Sequence, residues 1–146
     1  MHVAEQREER NYLTKSHCAW LFLFIMSILK LKENRDFRRT YNRGKSFVSP
    51  YIVVYVYKNR TNNVRLGITA GKKIGNAVKR NRAKRVITAA FASVLPNIQN
   101  GLDFVIVART RILNVKSTEL ANILYKTLEN AGAIKNDNEE NINISC

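Results

Sequence analysis

Between Lys72 and Arg85 the chain sets seven lysines and arginines in fourteen residues, with no acid among them. Such a segment cannot enter a core, and its charges oppose its own folding, so it must lie on a surface that other residues build. At about 100° per residue, Ala83, Val86, Ile87, Ala90 and Val94 share one apolar sector. That spacing predicts a helix from about Ala77 to Val94, with Asn76 as its cap and Pro96 beyond its end. Arg80, Asn81, Arg82, Lys84 and Arg85 fan over the opposite face. Lys79 points towards the apolar sector, so either the helix begins later or Lys79 snorkels. A face that serves only solubility intersperses its signs and gains i,i+4 pairs, whereas this one repels itself. Binding to phosphate is favoured over a merely solvated face. Arginine suits bidentate phosphate contact, and Asn81 can reach a base edge or a 2′-hydroxyl.

The net charge of +14 is not spread along the 146 residues. Residues 30–91 hold 17 basic side chains against Glu33 and Asp36 alone, while residues 1–29 balance and residues 92–146 carry six acids to five bases. A block of this kind marks a polyanion-binding surface, either nucleic acid or acidic membrane. The length suits one domain, and a hydrophobic content of 45% excludes wholesale disorder.

Several chemistries are excluded. His2, His17, Cys18 and Cys146 are the only histidines and cysteines, so none lies between Ala19 and Ser145. That removes Ser–His and Cys–His nucleophilic pairs and Cys/His zinc sites from the domain. Metal or acid/base hydrolysis needs clustered carboxylates, and the basic region offers only Glu33 and Asp36 before Asp103. Two distant cysteines make no disulfide framework, which points to a reducing, cytoplasmic setting. Gly71 and Gly75 match neither a P-loop nor a dinucleotide-binding fingerprint and instead serve a tight turn.

The remaining elements follow from periodicity. Asn34 to Arg43 reads as a helix with Asn34 as N-cap, Asp36 in the first turn and Gly44 past the end; Phe37 and Tyr41 share one face. Tyr51–Tyr57 is a strand whose alternation separates Ile52, Val54 and Val56 from Tyr51, Val53, Tyr55 and Tyr57. Lys58–Asn63 is a polar hairpin loop and Val64–Ala70 a returning strand. Phe104–Ala108 is apolar without alternation, as in a strand covered on both faces. Ser117–Asn130 is a last helix with Leu120, Ile123, Leu124 and Leu128 at core spacing and Gly132 as its stop. The expected class is α+β, a single-domain two-layer sandwich in α-β-β-α-β-α order that can accommodate one further short strand.

The domain is expected over residues 30–132, followed by a disordered, Asn- and acid-rich tail over 133–146. Residues 1–29 read as an N-terminal extension, with Met26 an alternative start where the charge regime changes. The apolar run Cys18–Leu29 is too short to span a bilayer, which takes roughly 20 residues. It also lacks the flanks of a signal peptide.

The segment Lys72–Arg85, centred on Arg80-Asn81-Arg82, resembles the signature of the bacterial ribonuclease P protein subunit. The resemblance extends through Arg65-Leu66-Gly67-Ile68, the Phe37/Tyr41 helix and Asp103–Arg109. It implies a small basic partner of a catalytic RNA, the two together cleaving the 5′ leader from precursor tRNA. Mg²⁺ is then bound mainly by the RNA component, with no catalytic residue and no metal site on the protein. Lys72, Lys73, Asn76, Lys79, Arg80, Asn81, Arg82, Lys84 and Arg85 dock on the catalytic RNA. A cleft of Phe37, Tyr41, Val53 and Tyr55 holds the leader, with Arg80, Asn81, Lys84 and Arg85 along its border. Tyr41 stands where Phe is more usual. On pattern alone, Phe37 and Tyr41 at i,i+4 read as core contacts; the resemblance reverses that reading. It also implies a fold like that of a ribosomal-protein domain, with a left-handed β-α-β crossover around the basic helix. The partners expected are the catalytic RNA and precursor tRNA, with no stable membrane partner. A ribosomal protein of related fold would share the charge without needing the cleft. An RNA-recognition-motif module lacks its consensus here, and a protein-only nuclease is opposed by the carboxylate count.

Overall fold

The alternation in Ile52–Lys58 decides the architecture. Ile52 and Val54 are buried on one face of this strand, while Val53, Tyr55 and Tyr57 are half-buried on the other. A strand apolar on both sides has to be covered on both sides. The computed structural model describes residues 28–135. In chain order it comprises β1 (Leu29–Lys30), α1 (Asn34–Arg43), β2 (Lys45–Val48), β3 (Ile52–Lys58), β4 (Arg65–Thr69), α2 (Ala77–Val94), β5 (Leu102–Ala108) and α3 (Ser117–Asn130). Short 3₁₀ turns stand at Lys72–Ile74, Leu95–Asn97 and Thr110–Asn114.

The five strands form one sheet in the order β1-β4-β5-β3-β2. β4 runs parallel to both β1 and β5, and β3 is antiparallel to its neighbours β5 and β2. Phe104, Val105 and Ile106 of the central β5 are fully buried, as the unalternating apolar run predicts. α2 connects the parallel neighbours β4 and β5, and this is the β-α-β unit to which the resemblance assigns a left-handed crossover.

The core lies between the sheet and the pair α2/α3. Ala83, Ile87, Ala90, Phe91 and Val94 of α2 join Leu120, Leu124 and Leu128 of α3 against Ile52, Val54, Leu66, Phe104 and Ile106. Phe91 meets Phe104 edge to face at 5.4 Å. Each large side chain buried here contributes about 1.5–3 kcal/mol relative to exposure. Repulsion between like charges on a helix costs only about 0.2–0.5 kcal/mol per pair, so the apolar stripe fixes α2 with its cations outward.

The structure is therefore a single mixed α+β domain, and it departs from expectation at the margins. α1 lies on the second face of the sheet, opposite α2 and α3, so the two-layer description lacks a partial third layer. β1 and β2 are both additional strands, too short and too polar to show period-2 patterning. The described fold begins before residue 30, since Ile28 joins the core and Leu29 pairs with Arg65. It also runs past residue 132: Ala133 is buried, Ile134 bridges Ile98, and the Lys135 N–H donates to the Asn97 carbonyl at 2.8 Å. Ile123 and Val86, expected in the core, are half-buried, and Phe91 takes the central place on α2. Glu33, not Asn34, holds the N-cap position of α1. Met26 and the rest of residues 1–27, and the tail residues 136–146, lie outside the described residues.

Candidate RNA interface

The basic segment owes its shape to three residues. Ile74 is buried and anchors the 3₁₀ turn, so Lys72 and Lys73 are held outward. Gly75 follows with φ of 132°, a conformation side chains rarely adopt, and so the turn needs glycine. Asn76 then caps α2, its side-chain oxygen accepting from the Lys79 N–H at 3.0 Å. Asn76→Ala is expected to cost about 1 kcal/mol of stability, read by chemical denaturation, because one orphan N–H loses its acceptor. Lys79 stands exposed in the first turn with its stem across Gly75, where no core exists yet for it to disturb.

Lys72, Lys73, Asn76, Lys79, Asn81, Arg82, Lys84 and Arg85 are all exposed. Arg80 is the exception to the outward fan. It precedes Ala83 and Ile87 by three and seven residues, so it shares their buried stripe. It is half-buried, and its Nε is enclosed without a hydrogen-bond partner among the described residues. The first turn of α2 contains no acid, although a helix N-terminus carries a partial positive charge that favours anions. Cations gathered on that end leave a positive potential that no carboxylate of the helix's first turn offsets.

The second surface is built by α1 on the sheet. Thr40 is fully buried beneath the helix, and its hydroxyl donates to the Asp36 carbonyl at 2.9 Å. On one flank Phe37 lies over Gly67, so closely that a Cβ there would stand 2.6 Å from the ring. Only glycine lets the ring rest on β4. Tyr41, one turn on, meets Tyr55 edge to face at 4.8 Å and 83°, and its hydroxyl bonds the Thr69 hydroxyl at 3.2 Å. Strand register places Gly67, Val105 and Tyr55 in one cross-strand row and Thr69, Val107 and Val53 in the next. Phe37, Tyr41, Val53 and Tyr55 thus share one face and are all half-buried. Tyr41 and Tyr55 touch, Phe37 sits over the neighbouring strand, and Val53 lies one row beyond. A groove of about 610 Å³ opens beside Phe37, and of the four border residues expected, Lys84 lines it.

A model of the ribonuclease P family matches residues 27–132 of this chain. The ribonuclease P protein component of Clostridium kluyveri is 39% identical over 112 residues, covering 75% of this chain and all of the relative. That of Clostridium beijerinckii is 37% identical over 117 residues, covering 75% and 94%. This chain belongs to the ribonuclease P protein family. Solved structures agree. The Staphylococcus aureus RNase P protein superposes with a TM-score of 0.65 at 34% identity, covering 73% of this chain and 97% of that one. The Thermotoga maritima RNase P protein gives 0.58 at 31%, covering 66% and 96%.

One feature of this family member escaped the sequence. Asp103 is 1% exposed, and Arg65 holds it with two hydrogen bonds, Nε to Oδ1 at 2.8 Å and Nη2 to Oδ2 at 2.5 Å. Asn59 donates to the same Oδ1 at 2.6 Å, and Arg65 Nη1 reaches Asp36 Oδ2 at 3.2 Å. This ties β4, β5 and α1 together under the first turn of the helix. Hydrogen bonding to Asp103, against some desolvation, raises the Arg65 guanidinium's hold on its proton above its ordinary value. The only signal in the sequence was a lone acid heading an apolar strand. Asp103 spends both oxygens on Arg65, Asp36 divides its own between Arg65 and Arg39, and no group of three or more metal-ligating side chains exists among the described residues. The donors of the described residues therefore do not form a Mg²⁺ site. No helix of the described residues is long and apolar enough to cross a membrane.

Proposed function

We propose that this chain is the protein subunit of ribonuclease P, working in the cytoplasm with a catalytic RNA on precursor tRNA. The loop and exposed face of α2, from Lys72 to Arg85, dock on the catalytic RNA. The cleft between α1 and the sheet holds the 5′ leader on Phe37, Tyr41, Val53 and Tyr55. Cleavage is endonucleolytic and leaves the mature 5′ end, and leader binding broadens the range of substrates accepted. The RNA component holds the Mg²⁺ and performs the bond breaking. No protein residue is assigned a catalytic role.

The observation that carries this reading is the half-buried edge-to-face pair Tyr41–Tyr55, in a chain whose segment Lys72–Arg85 exposes its cations with no acid among them. Partly exposed rings flanked by cations suit single-stranded RNA, since base stacking contributes about 1–3 kcal/mol per base and tolerates any sequence. A ribosomal protein would have use for the basic face but not for the cleft.

Reconstitution tests it. Purified protein added to the cognate catalytic RNA is expected to stimulate leader removal at low Mg²⁺. Absence of stimulation rules the reading out, and cleavage by the protein alone would revive a nuclease. Arg82→Ala, on the exposed face of α2, is expected to weaken assembly with the catalytic RNA. Its log K against log salt slope should become shallower by about 0.7–0.9 for each phosphate that the side chain had neutralised, as read by filter binding at several salt concentrations.

A further inference from the structure

Helix α1 divides its side of the sheet into two. Phe37 and Tyr41 face Gly67 and Tyr55 on one flank; at about 100° per residue, Arg39 and Arg43 project from the far flank. There they meet Tyr57, Arg60 and Arg65 around a groove of about 520 Å³. Arg35, Glu33 and Asp36 complete its rim, making five arginines to two carboxylates.

The carboxylates are already engaged. Glu33 pairs with Arg35 at 3.1 Å, and Asp36 pairs with Arg65 at 3.2 Å, with Arg39 at 3.7 Å. Arg43 and Arg60 have no carboxylate partner among the described residues. The floor is rigid, because Arg65 is locked to the buried Asp103. The groove thus holds an excess of positive charge on a preorganised base, with one aromatic ring and no stacking pair. Fixed guanidinium forks suit bidentate contact with phosphate oxygens.

We propose that this groove is a second RNA-backbone site, in which Arg39, Arg43 and Arg60 hold phosphodiester groups of a folded RNA segment. It rests on the RNA-binding role proposed above. Helix α1 stands between the groove and the aromatic cleft, so a leader stacked on Tyr55 cannot enter it without passing over the helix. The phosphates belong to a different segment from the leader.

The test uses the reconstituted holoenzyme. The double variant Arg43→Gln/Arg60→Gln is compared with Arg38→Gln/Lys126→Gln, which removes equal charge from outside both grooves. Thermal unfolding of both is expected to match the unmodified protein, since all four side chains are exposed. The groove variant is expected to lose about tenfold or more in RNA affinity at low salt. Its salt slope should fall by about 1.4–1.8, the change that two phosphates left without their arginines would give. The loss should be equal for leader-bearing and leaderless precursors. A loss seen in binding the catalytic RNA alone assigns the phosphates to that RNA; a loss seen only with precursor assigns them to the tRNA body. Either supports the site. It is overturned if the control variant matches the groove variant, if neither changes affinity, or if the loss is confined to leader-bearing substrates. Failure of the unmodified protein to stimulate leader removal would instead remove the reading beneath it.

Discussion

Arg65→Met is expected to destabilise the domain by about 3–5 kcal/mol, because it leaves the buried Asp103 carboxylate without its counter-ion. For a domain of this size that lowers Tm by more than about 10 °C in a thermal melt. The loss comes from uncompensated burial rather than from the strength of the pair itself. The double variant Arg65→Met/Asp103→Leu is therefore expected to be more stable than Arg65→Met alone, as it removes the charge along with its partner. A double variant no more stable than the single would show that the side chains matter through packing. The sign of the pH dependence follows from the raised proton affinity of Arg65. A group whose affinity is higher in the folded state contributes stability that is complete below its unfolded pKa and is lost only as pH rises through the folded value. For an arginine both lie beyond the assayable range, so its side of the pair contributes constantly across neutral and moderately alkaline pH.

Tyr55→Ala is expected to weaken binding of leader-bearing precursor by about 1–3 kcal/mol, roughly fivefold to 150-fold, with leaderless tRNA far less affected. The substitution removes a stacking surface and also leaves Tyr41 without its edge-to-face partner. Kd measured on the reconstituted holoenzyme against leaders of graded length checks this. Tyr55→Phe keeps the ring and is expected to retain the affinity. Equal losses for leader-bearing and leaderless substrates would refute the assignment of this cleft to the leader. Arg82→Ala supplies the opposite pattern, weakening assembly with the catalytic RNA whatever the leader.

Much of the candidate interface was legible along the chain because it is local. Lys72 to Arg85 is one loop and one helix, and its exposed face follows from helical period and an apolar stripe. The alternation Val53, Tyr55, Tyr57 likewise placed the aromatic face of β3 before any partner strand was known. Arg80 does not stay with its charged neighbours, because its spacing of three and seven residues to Ala83 and Ile87 sets it on their stripe.

What the sequence by itself determined is the basic surface, the aromatic strand face and the helix that carries Phe37 and Tyr41 on one side, since each rests on periodicities of two or 3.6 residues within a short window. Tertiary structure alone decided three further things. It paired Arg65 with Asp103 across 38 residues of chain, recruited Ile28 and Ile134 from beyond the expected domain limits, and laid α1 over one sheet face, between the Tyr41–Tyr55 pair and the arginine-lined groove. These depend on strand register and on where a helix comes to rest, which are set by packing between distant segments and leave no local period to read.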